Sequence, residues 1–242
     1  MIQFYCPDIL ETLTLPESDS AHCVRVLRRR IGDEVTVVDG RGNRYTCVIT
    51  EDHPKCTRLS IVSSESVPRV WPADITIAVA PTKNMDRMEW LAEKLTEIGV
   101  DRIVPLLCHH SERREIKVER LEKIVISAMK QSLKALLPEV SPMTPISKFI
   151  SGDTSEQKFI AYCDPEIPRR QLVDLYRPGL STTVLIGPEG DFDPAEIRAA
   201  LDAGYQPVTL GDNRLRTETA ALIAAGTCHI INQYAQNHPQ EA

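Results

Sequence analysis

No stretch of the 242-residue chain approaches eighteen consecutive apolar residues, so no segment reads as a membrane-spanning helix. There is no CxxC. The seven cysteines, at 6, 23, 47, 56, 108, 163 and 228, are odd in number and widely spaced. That spacing excludes a disulfide framework and a thiolate zinc site, and points to a reducing cytosol. Residues Met1 to Asp8 have neither a basic n-region nor a long apolar stretch, so they do not read as a signal peptide, and a soluble cytoplasmic protein is expected. GxxxxGK[ST], HExxH, GxSxG and a complete GxGxxG are all missing; Gly40-Arg41-Gly42 comes nearest, in a strand-rich region with no helix behind it. Six histidines, at 22, 53, 109, 110, 229 and 238, lack metal-ligand spacing. The adjacent His109 and His110 would point different ways on a regular element, and no metal is expected. Nor is there an excess of positive charge: 28 Lys and Arg against 34 Asp and Glu give a net −6. A protein coated in positive charge is excluded, but a local basic face is not.

Hydrophobic residues at 42% and charged residues at 26% describe a globular chain able to bury a core, as one large domain or two modest ones. Its two parts differ in period. Glu34 to Asp39, a glycine turn at Gly40 to Asn43, and Arg44 to Thr50 read as a β-hairpin, with Arg58 to Val62 as a third strand. A small β-barrel-like module is expected over residues 1–70, ending at Val67-Pro68-Arg69-Val70-Trp71-Pro72. Over residues 71–242, strands alternate with helices, which implies crossovers and a parallel α/β sheet. Expected strands lie at 75–80, 102–107, 158–163, 183–186 and 207–210. Expected helices lie around Met88 to Leu95 with Gly99 as C-cap, at 117–133, 168–176 and 193–203, and from 217 to 235.

Two strand-to-helix loops carry the chemical signal. Ile186-Gly187-Pro188-Glu189-Gly190-Asp191-Phe192 joins two glycines three apart with a stiffening proline, and Asp193 is placed to cap the next helix. Leu210-Gly211-Asp212-Asn213-Arg214-Leu215-Arg216-Thr217-Glu218-Thr219-Ala220 again leaves a strand and enters a helix. Capping accounts for Thr217 and Glu218, but not for two arginines at a positively polarised helix start. Those arginines suit an anionic partner. In a parallel sheet such loops lie beyond the carboxyl ends of the strands, where ligands bind, and the two could form opposite walls of one pocket.

Together these loops resemble the SPOUT class of S-adenosylmethionine-dependent RNA methyltransferases, and more closely the RsmE family, which methylates N3 of a uridine in 16S rRNA. The resemblance extends over most of the chain. It includes His22-x-x-Arg25-Val26-Leu27-Arg28, Gly32-Asp33, Lys83-x-x-Asp86-Arg87-Met88-Glu89-Trp90-Leu91, Lys94-x-Thr96-Glu97-x-Gly99-Val100, Glu112-Arg113 and Gln131-Ser132. The resemblance implies a PUA-like RNA-binding domain followed by a catalytic domain with a trefoil knot, a homodimer, and a partner in the small ribosomal subunit. Carried over by motif, Ile186, Gly187, Pro188, Glu189 and Gly190 line one side of the cofactor, with Leu210, Gly211, Leu215, Thr219 and Ala220 on the other. Two positions depart from the pattern: Asp191 and Leu133 stand where glycine is common.

Uracil N3 carries a proton at neutral pH, so its methylation needs a base or a cation that stabilises the uracil anion. Arg216 is the candidate cation and Glu218 its orienting partner or a base; alternatively, the two pair only to fix the loop. For RNA, a helix over Ala21 to Arg30 would set Arg25, Arg28 and Arg29 opposite Val24 and Leu27, a face suited to phosphates or simply solvated. His22, Lys83, Arg113, Gln131 and Ser132 are further RNA candidates. Gln131 and Ser132 extend the apolar stripe of Ile124, Val125 and Ala128, and either meet a polar ligand or mark where the helix reaches solvent. Two rivals remain: a SPOUT enzyme for another nucleotide, and a catalytically silent RNA-binding assembly factor.

Overall fold

The computed structural model describes residues 2–163 and 168–238, which divide into two compact units. The first comprises Met1–Arg69 together with Val125–Leu137. Its strands β1 (Gln3–Tyr5), β2 (Glu34–Val38), β3 (Asn43–His53) and β4 (Cys56–Ser66) lie in sequential order, β1 parallel to β2 and the rest antiparallel. The β2–β3 turn is built on Asp39. Its carboxylate accepts from the Arg41 and Asn43 backbone N–H at 2.8 and 3.1 Å, from Asn43 Nδ2 at 2.7 Å and from the Tyr45 hydroxyl at 3.3 Å. An aspartate that satisfies the turn's own donors is a standard local device for reversing the chain. Alternate residues of β2 and β3 (Val35, Val37, Tyr45, Cys47 and Ile49) are buried with Phe4, Ile9, Leu15 and Leu59 in one core.

Two features of this unit depart from expectation. The helix expected through Arg30 stops at Leu27: α1 (Ile9–Thr12) and α2 (Glu17–Ala21) are followed by a π-helical turn at His22–Val26, and Arg28 has a left-handed φ of 57°. The wide turn carries Cys23 fully into the core, which leaves Val26 exposed beside Arg25, Arg28 and Arg29. The second departure is that the unit is discontinuous in sequence. Residues 125–137 belong to it through Met129 and Ala135, which are buried with Val38, and through Lys130 Nζ, which meets Asp19 Oδ1 at 2.7 Å. Backbone bonds from Gly42 N to Ala135 O and from Leu137 N to Gly40 O fasten it at the hairpin turn. Periodicity is a local signal and carries no trace of such a return.

The second unit, Val70–Ile124 with Pro138–Ala242, is built on an all-parallel sheet. Its strands are β5 (Ile75–Val79), β6 (Arg102–Leu107), β7 (Glu139–Val140), β8 (Thr144–Pro145), β9 (Gln157–Ala161), β10 (Arg170–Gln171), β11 (Thr182–Ile186) and β12 (Gln206–Thr209). Their order is β10-β12-β9-β11-β5-β6-β7, with β8 paired to β6. β5 and β11 are buried at every position, threonines included, as central parallel strands covered on both faces are. Helix α3 (Met85–Ile98) starts at Asn84, whose side chain accepts from Asp86 N, and stops at Gly99 in a left-handed conformation. It buries Met88, Leu91, Ala92 and Leu95. The remaining helices are α4 (Val118–Gln131), which runs on into the segment grouped with the first unit, α5 (Ile146–Gly152), α6 (Leu172–Leu175), α7 (Pro194–Asp202) and α8 (Thr217–Asn237). The helix expected at 168–176 is a single turn, because Arg170 and Gln171 pair as a strand with Val208 and Thr209. Asp193 caps α7 in a reciprocal capping box with Glu196.

Candidate functional site

A cavity of about 1110 Å³ opens at the carboxyl ends of β9, β11 and β12. Three loops wall it: residues 161–163 with 168–169 after β9, 186–191 after β11, and 208–217 at the end of β12. The sheet order explains why they meet. β9 lies between β11 and β12, so the two glycine-bearing loops, some twenty residues apart in sequence, flank a third that sequence reasoning does not assign. Gly187 and Gly211 thus line one cavity.

Nine of the ten residues expected around the cofactor, Ile186 to Gly190 with Leu210, Gly211, Leu215 and Ala220, line the cavity; Thr219 is half-buried and does not. Two of the glycines sit where a side chain would crowd its neighbours. A Cβ on Gly187 would come within 3.1 Å of the Phe192 ring, and one on Gly190 within 3.2 Å of His110 Cβ. The loop is braced by carboxylates. Glu189 Oε1 accepts from Lys83 N at 3.0 Å. Asp191, at a left-handed φ of 64°, accepts from Cys163 N at 2.7 Å and Phe192 N at 2.9 Å. Where a glycine would relieve the backbone, this aspartate links two of the three loops.

Arg216 lines the cavity and is exposed, but its expected partnership with Glu218 is not formed. Arg216, not Thr217, is the N-cap of α8, in extended conformation and with no side-chain capping bond. Glu218 lies two residues on, and side chains at that spacing do not share a helix face. Glu218 is buried and pairs instead with Arg87 Nη1, 3.6 Å from Oε1. It does not line the cavity; Arg87 does. In the sequence Arg87 reads only as one residue of the Lys83 to Leu91 motif, with no role assigned, since its distance of 131 residues from Glu218 leaves no signal of their pairing. Arg169, also unforeseen, donates to the Tyr162 carbonyl and lies over the Tyr162 ring.

The RNA candidates fall in two groups. In the first unit His22, Arg25, Arg28 and Arg29 are exposed around the π-helical turn, as is Gln131 at the end of α4. Ser132 donates to the Ala128 carbonyl at 2.7 Å just beyond the helix. In the second unit Lys83 and Arg113 are bound up with loop structure. Arg113 Nη2 donates to Lys83 O at 2.7 Å, and Lys83 Nζ meets Glu112 at 2.9 Å, a hydrogen bond that holds the ammonium above its usual range. His109 and His110 sit in a turn rather than a regular element, so their rings converge at 4.9 Å, and their donor atoms lie with an Asp193 oxygen within 4.8 Å of one another.

Comparison with known proteins agrees with this architecture. The family profile described as RNA methyltransferase domain matches residues 69–229, and that described as RNA methyltransferase PUA domain matches residues 15–57. These define the class. A crystal structure of a probable rRNA-methyltransferase from Porphyromonas gingivalis superposes with a TM-score of 0.92 at 46% identity, covering 97% of this chain and 99% of that one. A ribosomal RNA small subunit methyltransferase E from Neisseria gonorrhoeae bound to S-adenosyl methionine superposes with a TM-score of 0.84 at 30% identity, covering 96% and 98%. The ribosomal RNA small subunit methyltransferase E of Aquifex aeolicus is 30% identical over 214 residues, 87% of this chain and 90% of that protein. The chain belongs to the ribosomal RNA small subunit methyltransferase E family of RNA methyltransferases.

Proposed function

We propose that this protein transfers a methyl group from S-adenosylmethionine to N3 of a uridine in the 16S rRNA of the small ribosomal subunit. The observation that carries the reading is the meeting of Gly187, Gly190 and Gly211 around one cavity at the strand ends. The residues present fit the cofactor. The space is large enough for a nucleoside joined to an amino acid, since ligand cavities typically measure about 300–1,000 Å³. Ile186, Val208, Leu210 and Leu215 supply apolar surface, and glycine-rich backbone exposes the donors and acceptors that read a neutral adenine. The family's name and the cofactor in the Neisseria gonorrhoeae relative support the same substrates.

When bound, S-adenosylmethionine supplies a methyl group activated on a sulfonium. The chain's own work is positioning: the loops after β9 and β11, linked through Asp191, hold one side of the cavity against the β12 loop, so that cofactor and acceptor meet in a fixed approach. The N3 proton must leave before N3 can take up the methyl group, and it passes to solvent at the rim of the cavity, where Gly211 to Arg214 are exposed. The Arg216 guanidinium at the cavity wall serves as the cation that stabilises the uracil anion. The trefoil knot, a closed PUA-like barrel, the homodimer and a cytoplasmic site of action belong to the same reading; among the described residues no helix is long and apolar enough to cross a membrane. Nucleoside mass spectrometry of 16S rRNA from cells lacking the protein is expected to show one N3-methyluridine missing. With Arg216→Ala, methylation is lost while calorimetric affinity for S-adenosylmethionine stays within a few-fold. An unaltered nucleoside profile, or a wild-type protein that binds no cofactor at millimolar concentration, removes the proposal.

A further inference from the structure

The ion pair between Arg87 and Glu218 is unusual in its placement. Glu218 occupies the first turn of α8, where the helix dipole favours a carboxylate, and its side chain is 10% exposed. One oxygen has a guanidinium at 3.6 Å, too long for a hydrogen bond, and the other is buried with no hydrogen-bond partner among the described residues. A carboxylate so poorly satisfied is costly unless it serves something else. Arg87, in the first turn of α3, is the cation it holds, and Arg87 faces the cavity. A guanidinium has five N–H donors. Among the described residues this one makes a single loose ion pair, and its donors are otherwise available at the cavity wall.

We propose that Arg87 is the oxyanion-binding residue of this cavity and that Glu218 is a positioning residue acting through it. The buried carboxylate keeps the guanidinium at the wall instead of letting it swing into solvent. The donors left over present a preorganised fork for a carboxylate, a phosphate or a deprotonated uracil. Arginine suits this task better than lysine because its planar fork binds such groups through two parallel bonds. The inference rests on the cavity being the methyl-transfer site. It adds a substrate-binding group distinct from Arg216, which makes no ion pair with a carboxylate among the described residues. Two sources of the oxyanion fit: the amino-acid carboxylate of S-adenosylmethionine, and the target nucleotide.

Calorimetry with S-adenosylmethionine and with 5′-methylthioadenosine, which lacks the carboxylate, and methyl-transfer kinetics on small ribosomal subunits test it together. Arg87→Gln keeps most of the side chain's bulk, and its melting temperature reports folding; Arg87→Lys restores charge without the fork. If the cofactor supplies the oxyanion, Arg87→Gln raises the Kd for S-adenosylmethionine about tenfold or more and leaves that for 5′-methylthioadenosine unchanged. If the nucleotide supplies it, both affinities are unchanged and kcat/KM on the ribosomal substrate falls on the order of 100-fold. In either case Arg87→Lys recovers part of the loss. Glu218→Gln reproduces the same split between binding and rate more weakly, and the double variant loses no more than Arg87→Gln alone. The proposal is overturned if wild-type protein is active and a folded Arg87→Gln matches it in every measurement, or if the two losses simply add. A wild-type protein that neither binds cofactor nor methylates overturns the methyltransferase reading itself, which separates the two failures.

Discussion

Glu189 Oε1 accepts the backbone N–H of Lys83 at 3.0 Å, so a cavity-lining side chain after β11 holds the chain just beyond β5. The bond is exposed, so its net contribution is that of an ordinary hydrogen bond, about 0.5–1.5 kcal/mol. Glu189→Ala is expected to loosen the loop and raise the Kd for S-adenosylmethionine several-fold in calorimetry. Glu189→Gln keeps an acceptor and should stay close to wild type. Equal losses in both variants would assign the effect to charge rather than to the bond.

Asp191 takes a left-handed backbone, which glycine would adopt without strain, and its carboxylate links the loops after β9 and β11. The two effects oppose each other. Asp191→Ala removes both hydrogen bonds and retains backbone strain of roughly 1 kcal/mol, whereas Asp191→Gly removes the bonds and the strain together. Melting temperatures should therefore run wild type, then Asp191→Gly, then Asp191→Ala. An alanine variant as stable as the glycine variant would show that the φ of 64° carries no cost.

How far the sequence reaches depends on the range of the interaction. The hairpin around Gly40, the capped starts of α3 and α7 and the Gly99 stop are readable because each depends on residues within a few positions of one another. Gly187 and Gly211 can be placed at strand ends by the same local rules, and the parallel sheet supplies a reason for them to converge. What escapes is long-range. The β9 loop joins the cavity only because β9 lies between β11 and β12. Arg87 reaches Glu218 through the packing of α3 on α8, and residues 125–137 return to the first unit through Met129 and Ala135. The π-helical turn at His22–Val26 is hidden for another reason, since its wider turn leaves apolar residues at spacings that a regular α-helix also accepts.

The turn aspartate makes the first unit acid-sensitive. Burial pushes the Asp39 carboxyl up, but hydrogen bonds from the Asn43 side chain, from the Arg41 and Asn43 backbone and from Tyr45 outweigh it and hold it below the usual carboxylate range. A group with a lowered folded pKa binds fewer protons folded than unfolded. Its stabilisation is therefore present above about pH 4 and is lost as pH falls through the lower, folded value. Urea unfolding of wild type should weaken between pH 4 and lower pH, and Asp39→Asn should flatten that dependence while being less stable at pH 7. Parallel curves for the two proteins would place the acid response elsewhere.

Exposed arginines around the π-helical turn give the RNA reading a separable test. Arg28 has a φ of 57°, a conformation that glycine adopts freely, so Arg28→Gly removes the charge without strain where alanine would add it. Combined with Arg25→Gln and Arg29→Gln, it is expected to weaken binding to 16S rRNA fragments. The slope of log affinity against log salt should shrink by about 0.7 for each single-strand phosphate that the variant no longer neutralises. An unchanged slope in folded protein would move the RNA surface away from this turn.

Cys163 is exposed and lines the cavity, which makes it a reporter of occupancy that needs no catalysis. The thiolate is the reactive form of cysteine. Burial pushes the thiols of Cys6, Cys23 and Cys47 up to about 11 and that of Cys228 up to about 12, so these four stay unreactive in folded protein at neutral pH. Cys56, half-buried at the start of β4, serves as an internal control. With S-adenosylmethionine at ten times its Kd, site occupancy should slow labelling of Cys163 by a disulfide reagent about tenfold and leave Cys56 unaffected, as read by peptide mass mapping. Because protection follows occupancy alone, it separates binding from methyl transfer. A Cys163 that reacts at the same rate with and without cofactor would place S-adenosylmethionine outside this cavity, whatever the activity of the enzyme.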